Sequence, residues 1–194
     1  MKISKSAKKF VLLGLIILPL TFSLVPADAN AVRYSGGRTS AIFNAWYSDS
    51  IHSYGYAGWI DEARFTWNPV SSNIEITRVI SSNGTPDKYY AGVGTDPFTA
   101  GGHNGYKKSA SGSYVVAGNN ETWAYSAVSI YQNAITFMNL SDAEIQSTIE
   151  HEMGHSLGLD HTPSNGPNSI MKSLRQSIKP TTYDISEVRA KWGN

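Results

Sequence analysis

Cysteine is absent from the chain, so the fold has no disulfides and no site for lipidation on Cys. An excess of positive charge is missing too once the first segment, residues 1–31, is set aside. Twelve Lys and Arg then face fourteen Asp and Glu, a net charge of −2. That balance offers no basic patch to nucleic acid or an anionic membrane. No apolar run after residue 25 is long enough to cross a bilayer. Internal repeats and low-complexity tracts are also missing. Histidine is scarce, with five in all.

The first segment holds a positive start (Lys2, Lys5, Lys8, Lys9), the apolar run "FVLLGLIILPLTFSLV" from Phe10 to Val25, and small-x-small sites at Ala27–Ala29 and Ala29–Ala31. Charge, apolar core and small residues in that order predict a secretory signal peptide over residues 1–31, cut after Ala31 or else after Ala29. The competing reading is an uncleaved anchor; Pro19 and Pro26 interrupt the run and count against it. Residues 32–194 are then expected to be a single secreted, extracellular and monomeric domain, long enough to bury its own core.

Tyr54–Trp67 predicts a helix, with Tyr56, Ile60, Ala63 and Trp67 on one face and Asn68-Pro69 ending it. Strands are predicted at Ala41–Tyr47, at the alternating, β-branched Asn73–Ile80, and at Trp123–Asn133. Ser82–Asp87 is turn chemistry. Thr95–Glu121 is rich in Gly, Asn and Ser and reads as irregular, with one short strand at Ser113–Ala117. A segment of that kind inside a small domain is usually functional or ion-stabilised. "SDAE" at Ser141–Glu144 is a capping box that should open a second long helix, and Tyr183–Trp192 predicts a last one. Strands and a helix early, with two helices late, predict an α+β domain whose helices pack on a mixed sheet.

Three of the five histidines fall in the stretch "HEMGHSLGLDH", His151 to His161, while His52 and His103 are scattered. At this chain's own residue frequencies, such a pattern arises by accident in roughly one chain in a hundred thousand. On a helix, His151 and His155 lie one turn apart and point the same way, so both imidazoles can hold one zinc ion. Glu152 is rotated by about 100° from His151, which lets it flank the ion as a general base without ligating it. Gly158 can take positive φ, end the helix and turn His161 back towards the same ion. Three neutral nitrogens with one open position suit a catalytic zinc; imidazole also serves Cu, Ni and Fe(II).

This stretch resembles the HExxHxxGxxH signature of the metzincin metallopeptidases, and "HSLGLDH" is most similar to the matrixin (matrix metalloproteinase) branch. The resemblance implies a methionine turn beneath the zinc, for which "NSIMKS" offers Met171. It also implies a metzincin-like fold, a twisted mixed sheet with an active-site helix and a C-terminal helix. The activity implied is a zinc-dependent endopeptidase acting on proteins or peptides, in which Glu152 activates a zinc-bound water. "NIEITRV" after the Trp67 helix, and the terminal "TTYDISEVRAKWG", resemble matrixin elements more loosely.

The chain also departs from the pattern. Ser173 stands where astacin- and serralysin-like members carry a tyrosine, and His52 and His103 are too few for the second, structural zinc that matrixins commonly hold. His103 is expected to be a loop residue. Calcium could order the 95–121 segment through Asp96, Asn104, Asn119, Asn120, Glu121 or carbonyls; a solvated polar loop fits equally well. The rival function is a secreted zinc-dependent binding or effector protein that cleaves nothing. Without cysteine, inhibition by a propeptide thiolate is chemically impossible, and Val32–Ser40 contains no aspartate to cover the metal. Competence without further trimming is therefore expected.

Overall fold

Residues 32–194 are described by the computed structural model; the predicted signal peptide, residues 1–31, lies outside the described residues. An N-terminal arm leads into β1 (Ile42–Tyr47), followed by the short α1 (Asp49–Ser53), α2 (Ala57–Trp67) and a 3-10 turn at Asn68–Val70. Next come β2 (Glu75–Val79), β3 (Asp87–Gly92), β4 (Gly101–Lys108), β5 (Tyr114–Val116) and β6 (Tyr125–Tyr131). The chain closes with α3 (Gln132–Phe137), α4 (Asp142–Ser156) and α5 (Thr182–Trp192). This is the α+β class expected from the sequence.

The six strands form one sheet in the order β2-β1-β3-β6-β4-β5. The first four of that order are mutually parallel, and β4 runs antiparallel to both of its neighbours, β6 and β5. Alternation along β1 sends Phe43, Ala45 and Tyr47 inward and leaves Ile42 and Asn44 exposed. Onto that inner face pack Ile60, Ala63 and Trp67 of α2, Ile149 and Met153 of α4, and Leu157 at its C-cap. Trp67 is fully buried, and its indole N–H is satisfied by the Glu150 carbonyl at 2.9 Å. This contact ties α4 to α2, and Glu152 in the last turns of α4 meets Gly101 of β4.

Four local expectations change. The helix predicted from Tyr54 begins at Ala57, because Gly55 takes φ +81° and separates α1 from α2. β3, "DKYYAG", was not anticipated; its Asp87 is buried and accepts the Ser126 amide at 2.7 Å. β6 stops at Tyr131, where the Asn133 carboxamide instead clasps Gly94, accepting from its N–H at 2.8 Å and donating to its carbonyl at 3.1 Å. Most important for the site, much of the segment read as irregular is the eight-residue strand β4. Its glycines lower strand propensity but are demanded by contact. A Cβ on Gly101 would lie 2.5 Å from Glu152 Oε1, and one on Gly105 would lie 2.5 Å from the Trp123 ring.

Candidate active site

Helix α4 starts where expected, with the reciprocal Ser141/Glu144 box present and the Glu144 carboxylate accepting the Ser141 N–H at 2.9 Å. Arg175 ion-pairs with the same carboxylate and also donates to the Met138 carbonyl at 3.0 Å. Arg175 first, and then Ser141, hold the Glu144 carboxyl down at about 2. The helix ends in a Schellman motif: Leu159 N–H donates to Gly154 O at 3.1 Å, Gly158 N–H donates to His155 O at 2.8 Å, and Gly158 has φ +88°. Both ends of the helix were therefore legible in the sequence.

The reversal at Gly158 brings His161 back to His151 and His155. Ring centroids lie 4.8 Å apart for His151–His155, 4.7 Å for His155–His161 and 5.2 Å for His151–His161. His151 Nδ1 lies 2.7 Å from the Ile170 carbonyl, and His155 Nδ1 lies 2.9 Å from the Leu159 carbonyl. Carbonyls only accept, so each Nδ1 carries the proton and each Nε2 keeps its lone pair. The Nε2 atoms of His155 and His161 stand 3.2 Å apart. Two nitrogens at about 2.0–2.1 Å from one tetrahedral ion would lie about 3.3 Å apart, so the donors present fit zinc. Burial holds His151 down at about 4 and puts His155 well below the usual histidine range, so both are neutral, as ligands must be.

Glu152 is buried on the β4 side of the helix, where the bare backbone of Gly101 makes room for it. Burial pushes its carboxyl up to about 8. The three imidazoles and Glu152 line a cleft of about 440 Å³. Gly101, Gly102 and His103 of β4 also line it, as do Lys172 to Gln176 beyond the methionine.

Met171 is 1 % exposed and lies against Gly154, where a Cβ would come within 2.6 Å of its sulfur. The Met171 carbonyl accepts the amide of Thr162, the residue after His161, at 2.9 Å. Asp184, in the first turn of α5, accepts from Ile170 N–H at 3.0 Å and from Thr181 N–H at 2.7 Å. Through Ile170, that carboxylate also fixes the acceptor of His151.

His103 is a correction. It lies on β4 rather than in a loop, with Nε2 2.8 Å from Ser126 Oγ and its ring 5.5 Å from that of His155. Burial, helped by Arg38 and His151, holds it down at about 3. The alternation of Gly101, His103 and Gly105 was the available signal for one strand face turned towards a close neighbour. Tyr34 was missed altogether, and no local signal marks it. It comes from the N-terminal arm and stacks on His155, with centroids 5.8 Å apart.

The calcium expectation gains no support. Asp96 is engaged by the Phe98 amide at 3.0 Å and by Thr99, and Glu121 by the Gly118 amide at 2.8 Å and by Lys107. Among the described residues, His151, His155 and His161 are the one group of three or more His, Cys, Asp or Glu placed to hold a metal ion.

The sequence profile of the matrixin family matches residues 59–191. The chain therefore belongs to the matrixin family, which makes it a metallopeptidase by class, and the class implies a catalytic zinc and protein substrates. No curated protein matches it significantly. Among solved structures, a chain of the GM1-bound form of the ECX AB5 holotoxin superposes with a TM-score of 0.50 at 17 % identity, covering 78 % of this chain and 80 % of that one. A likeness at that identity concerns the fold alone.

Proposed function

We propose that this chain is a zinc-dependent endopeptidase, exported from the cell and acting as a monomer on extended protein or peptide substrates. The observation that carries the reading is the convergence of three imidazoles. His151 and His155 each donate their Nδ1 proton to a backbone carbonyl, which leaves Nε2 free, and Glu152 lines the same cleft. When bound, zinc supplies Lewis-acid polarisation of a peptide carbonyl and activation of water. Glu152 accepts the proton of the attacking water and returns it to the leaving amine nitrogen. A carboxyl raised by burial, and favoured in its ionised form by a neighbouring cation, is suited to carry that proton near neutrality.

Substrate placement follows from the sheet. β6, "YSAVSIY", has β3 on one side and β4 on the other, so it cannot accept an added strand. β5 and Ala117 pair with β4 only from Gly105 onward. The outer edge of Gly101–Asn104 is left to receive an extended peptide along the cleft. The opposite wall, Lys172 to Gln176, would shape the side-chain pocket.

The test is digestion of casein or gelatin with and without a chelator, beside zinc analysis. Alanine at His151, His155 or His161 should remove most of the zinc, whereas Glu152→Ala should keep the metal and lose activity. Full zinc occupancy after His161→Ala would overturn the three-ligand assignment. Stoichiometric zinc without cleavage of any protein would favour a secreted binding or effector protein.

A further inference from the structure

The N-terminal arm, residues 32–40, is bound at several points to the loop that carries His161. Tyr34 N–H donates to the Gly158 carbonyl at 3.0 Å, and Asp160 N–H donates to the Val32 carbonyl at 2.9 Å. Leu159 is held between these two bonds. Arg33 ion-pairs with Glu187 of α5 at 3.0 Å, and Lys191 donates to the Gly36 carbonyl at 3.2 Å. The arm is thus a short antiparallel partner of Gly158–Asp160, the link between the end of α4 and His161.

The side chain in the middle of that contact points at the metal cluster. Tyr34 lies nearly parallel to the His155 ring, at 26°, with its hydroxyl oxygen 3.0 Å from His155 Nδ1. That nitrogen therefore faces two oxygens, the phenol of Tyr34 and the carbonyl of Leu159 at 2.9 Å. The carbonyl cannot donate, so the proton sits on Nδ1 and the phenol oxygen is its second acceptor. Trp123 backs the arrangement, with its ring 5.5 Å from Tyr34 and 5.7 Å from His103, which in turn is 5.5 Å from His155. Tyr34, Trp123 and His103 close a circuit of ring contacts with His155, the most buried of the three histidines.

We propose that Tyr34 is a positioning residue of the metal centre: its ring fixes the plane of His155, its hydroxyl shares the Nδ1 proton, and both acceptors of that proton are held by the N-terminal arm. The inference rests on the zinc reading above. Partners that take the far N–H of a ligating histidine orient the ring and raise its basicity, and losing one typically costs ten- to a hundredfold in metal affinity. The arm is therefore part of the site, and loss of residues 32–34 would weaken the metal even though no ligand is removed.

The experiment compares the parent full chain with Tyr34→Phe and Tyr34→Ala. Zinc affinity is read by competition with a chromophoric chelator, and ligand geometry by the visible spectrum of the Co(II)-loaded protein. Phenylalanine keeps the stacked ring and loses one acceptor, so affinity should fall about three- to tenfold. Alanine loses both and should fall about ten- to a hundredfold, with a shifted Co(II) spectrum. The thermal midpoint of the metal-free protein reports folding; if Tyr34→Ala fails to fold, Tyr34→Phe decides alone. Affinity within twofold of the parent and an unchanged spectrum in the folded variants would reduce Tyr34 to a cleft wall and overturn the inference. A parent chain that binds no zinc would overturn the functional reading as well.

Discussion

At Gly101 the missing side chain is what lets strand meet helix. A Cβ there would lie 2.5 Å from Glu152 Oε1 and 2.8 Å from its Cγ. Gly101→Ala should therefore displace the carboxylate while leaving the three imidazoles in place. We expect zinc content to be unchanged and kcat to fall about tenfold or more, since displacements near 1 Å can cost a hundredfold. Undiminished kcat in a folded, zinc-replete Gly101→Ala protein would show that the carboxylate tolerates the shift. Residues of this kind separate what could be read from what could not. His151, Glu152, His155 and His161 declared themselves because helix geometry and one glycine reversal bring them together within eleven residues. His103 and Tyr34 did not. His103 meets His155 across fifty-two positions, and Tyr34 meets it across 121, by packing alone.

Among the elements, α4 and α5 illustrate the same division. The Ser141 box and the Gly158 reversal are local codes, and the structure has both. The box at Thr181 and Asp184 is also local, yet its carboxylate has a second, distant duty. Asp184 is 1 % exposed and accepts from Ser169 Oγ, Ile170 N–H and Thr181 N–H, so the cap of α5 also anchors the segment that carries Met171. Asp184→Ala would leave a buried amide and a hydroxyl without partners and would remove a cap. We expect a loss of about 2–4 kcal/mol, read by urea denaturation, together with weaker zinc binding as the Ile170 carbonyl is released from His151. A variant of parental stability and zinc affinity would show that the turn is held by its apolar packing alone. β4 belongs to the other side of the ledger. Its three glycines are unfavourable for a strand in isolation, and only the approach of Glu152, Tyr131 and Trp123 explains them.

For the whole molecule, several buried titratable groups gathered at one cleft make the metal-free protein sensitive to pH in both directions. His151, His155 and His103 are all depressed by burial, His151 to about 4 and His103 to about 3. The unfolded chain takes up protons below about 6.5 that the folded chain refuses. The stability these groups contribute is therefore present above pH 6.5 and is lost as pH falls towards 4. Glu152 acts oppositely. Raised to about 8, it stays protonated in the fold while the unfolded carboxyl ionises above about 4.5, so its contribution is lost as pH rises to about 8. Below 6.5 the three histidines outweigh the one carboxyl. The urea midpoint of the metal-free protein should peak near pH 6.5, fall on the acid side, and decline more gently up to pH 8. Glu152→Gln should abolish the alkaline decline and leave the acid one. A midpoint that is flat from pH 4 to 8 would mean that the cleft is hydrated enough to ionise freely.

By itself the sequence determined the convergence of the three imidazoles and both ends of α4, because these rest on interactions spanning a few residues: a helical turn, a cap, or a positive-φ reversal. The metzincin class of the domain and the choice of Met171 came from the resemblance of its motif. The tertiary structure alone decided that a glycine-rich segment is the strand lining the cleft, that His103 faces the cluster, and that Tyr34 of the N-terminal arm stacks on His155. Those outcomes depend on close packing between elements far apart in the chain, where a missing Cβ or a shared proton has meaning only once both partners are in place.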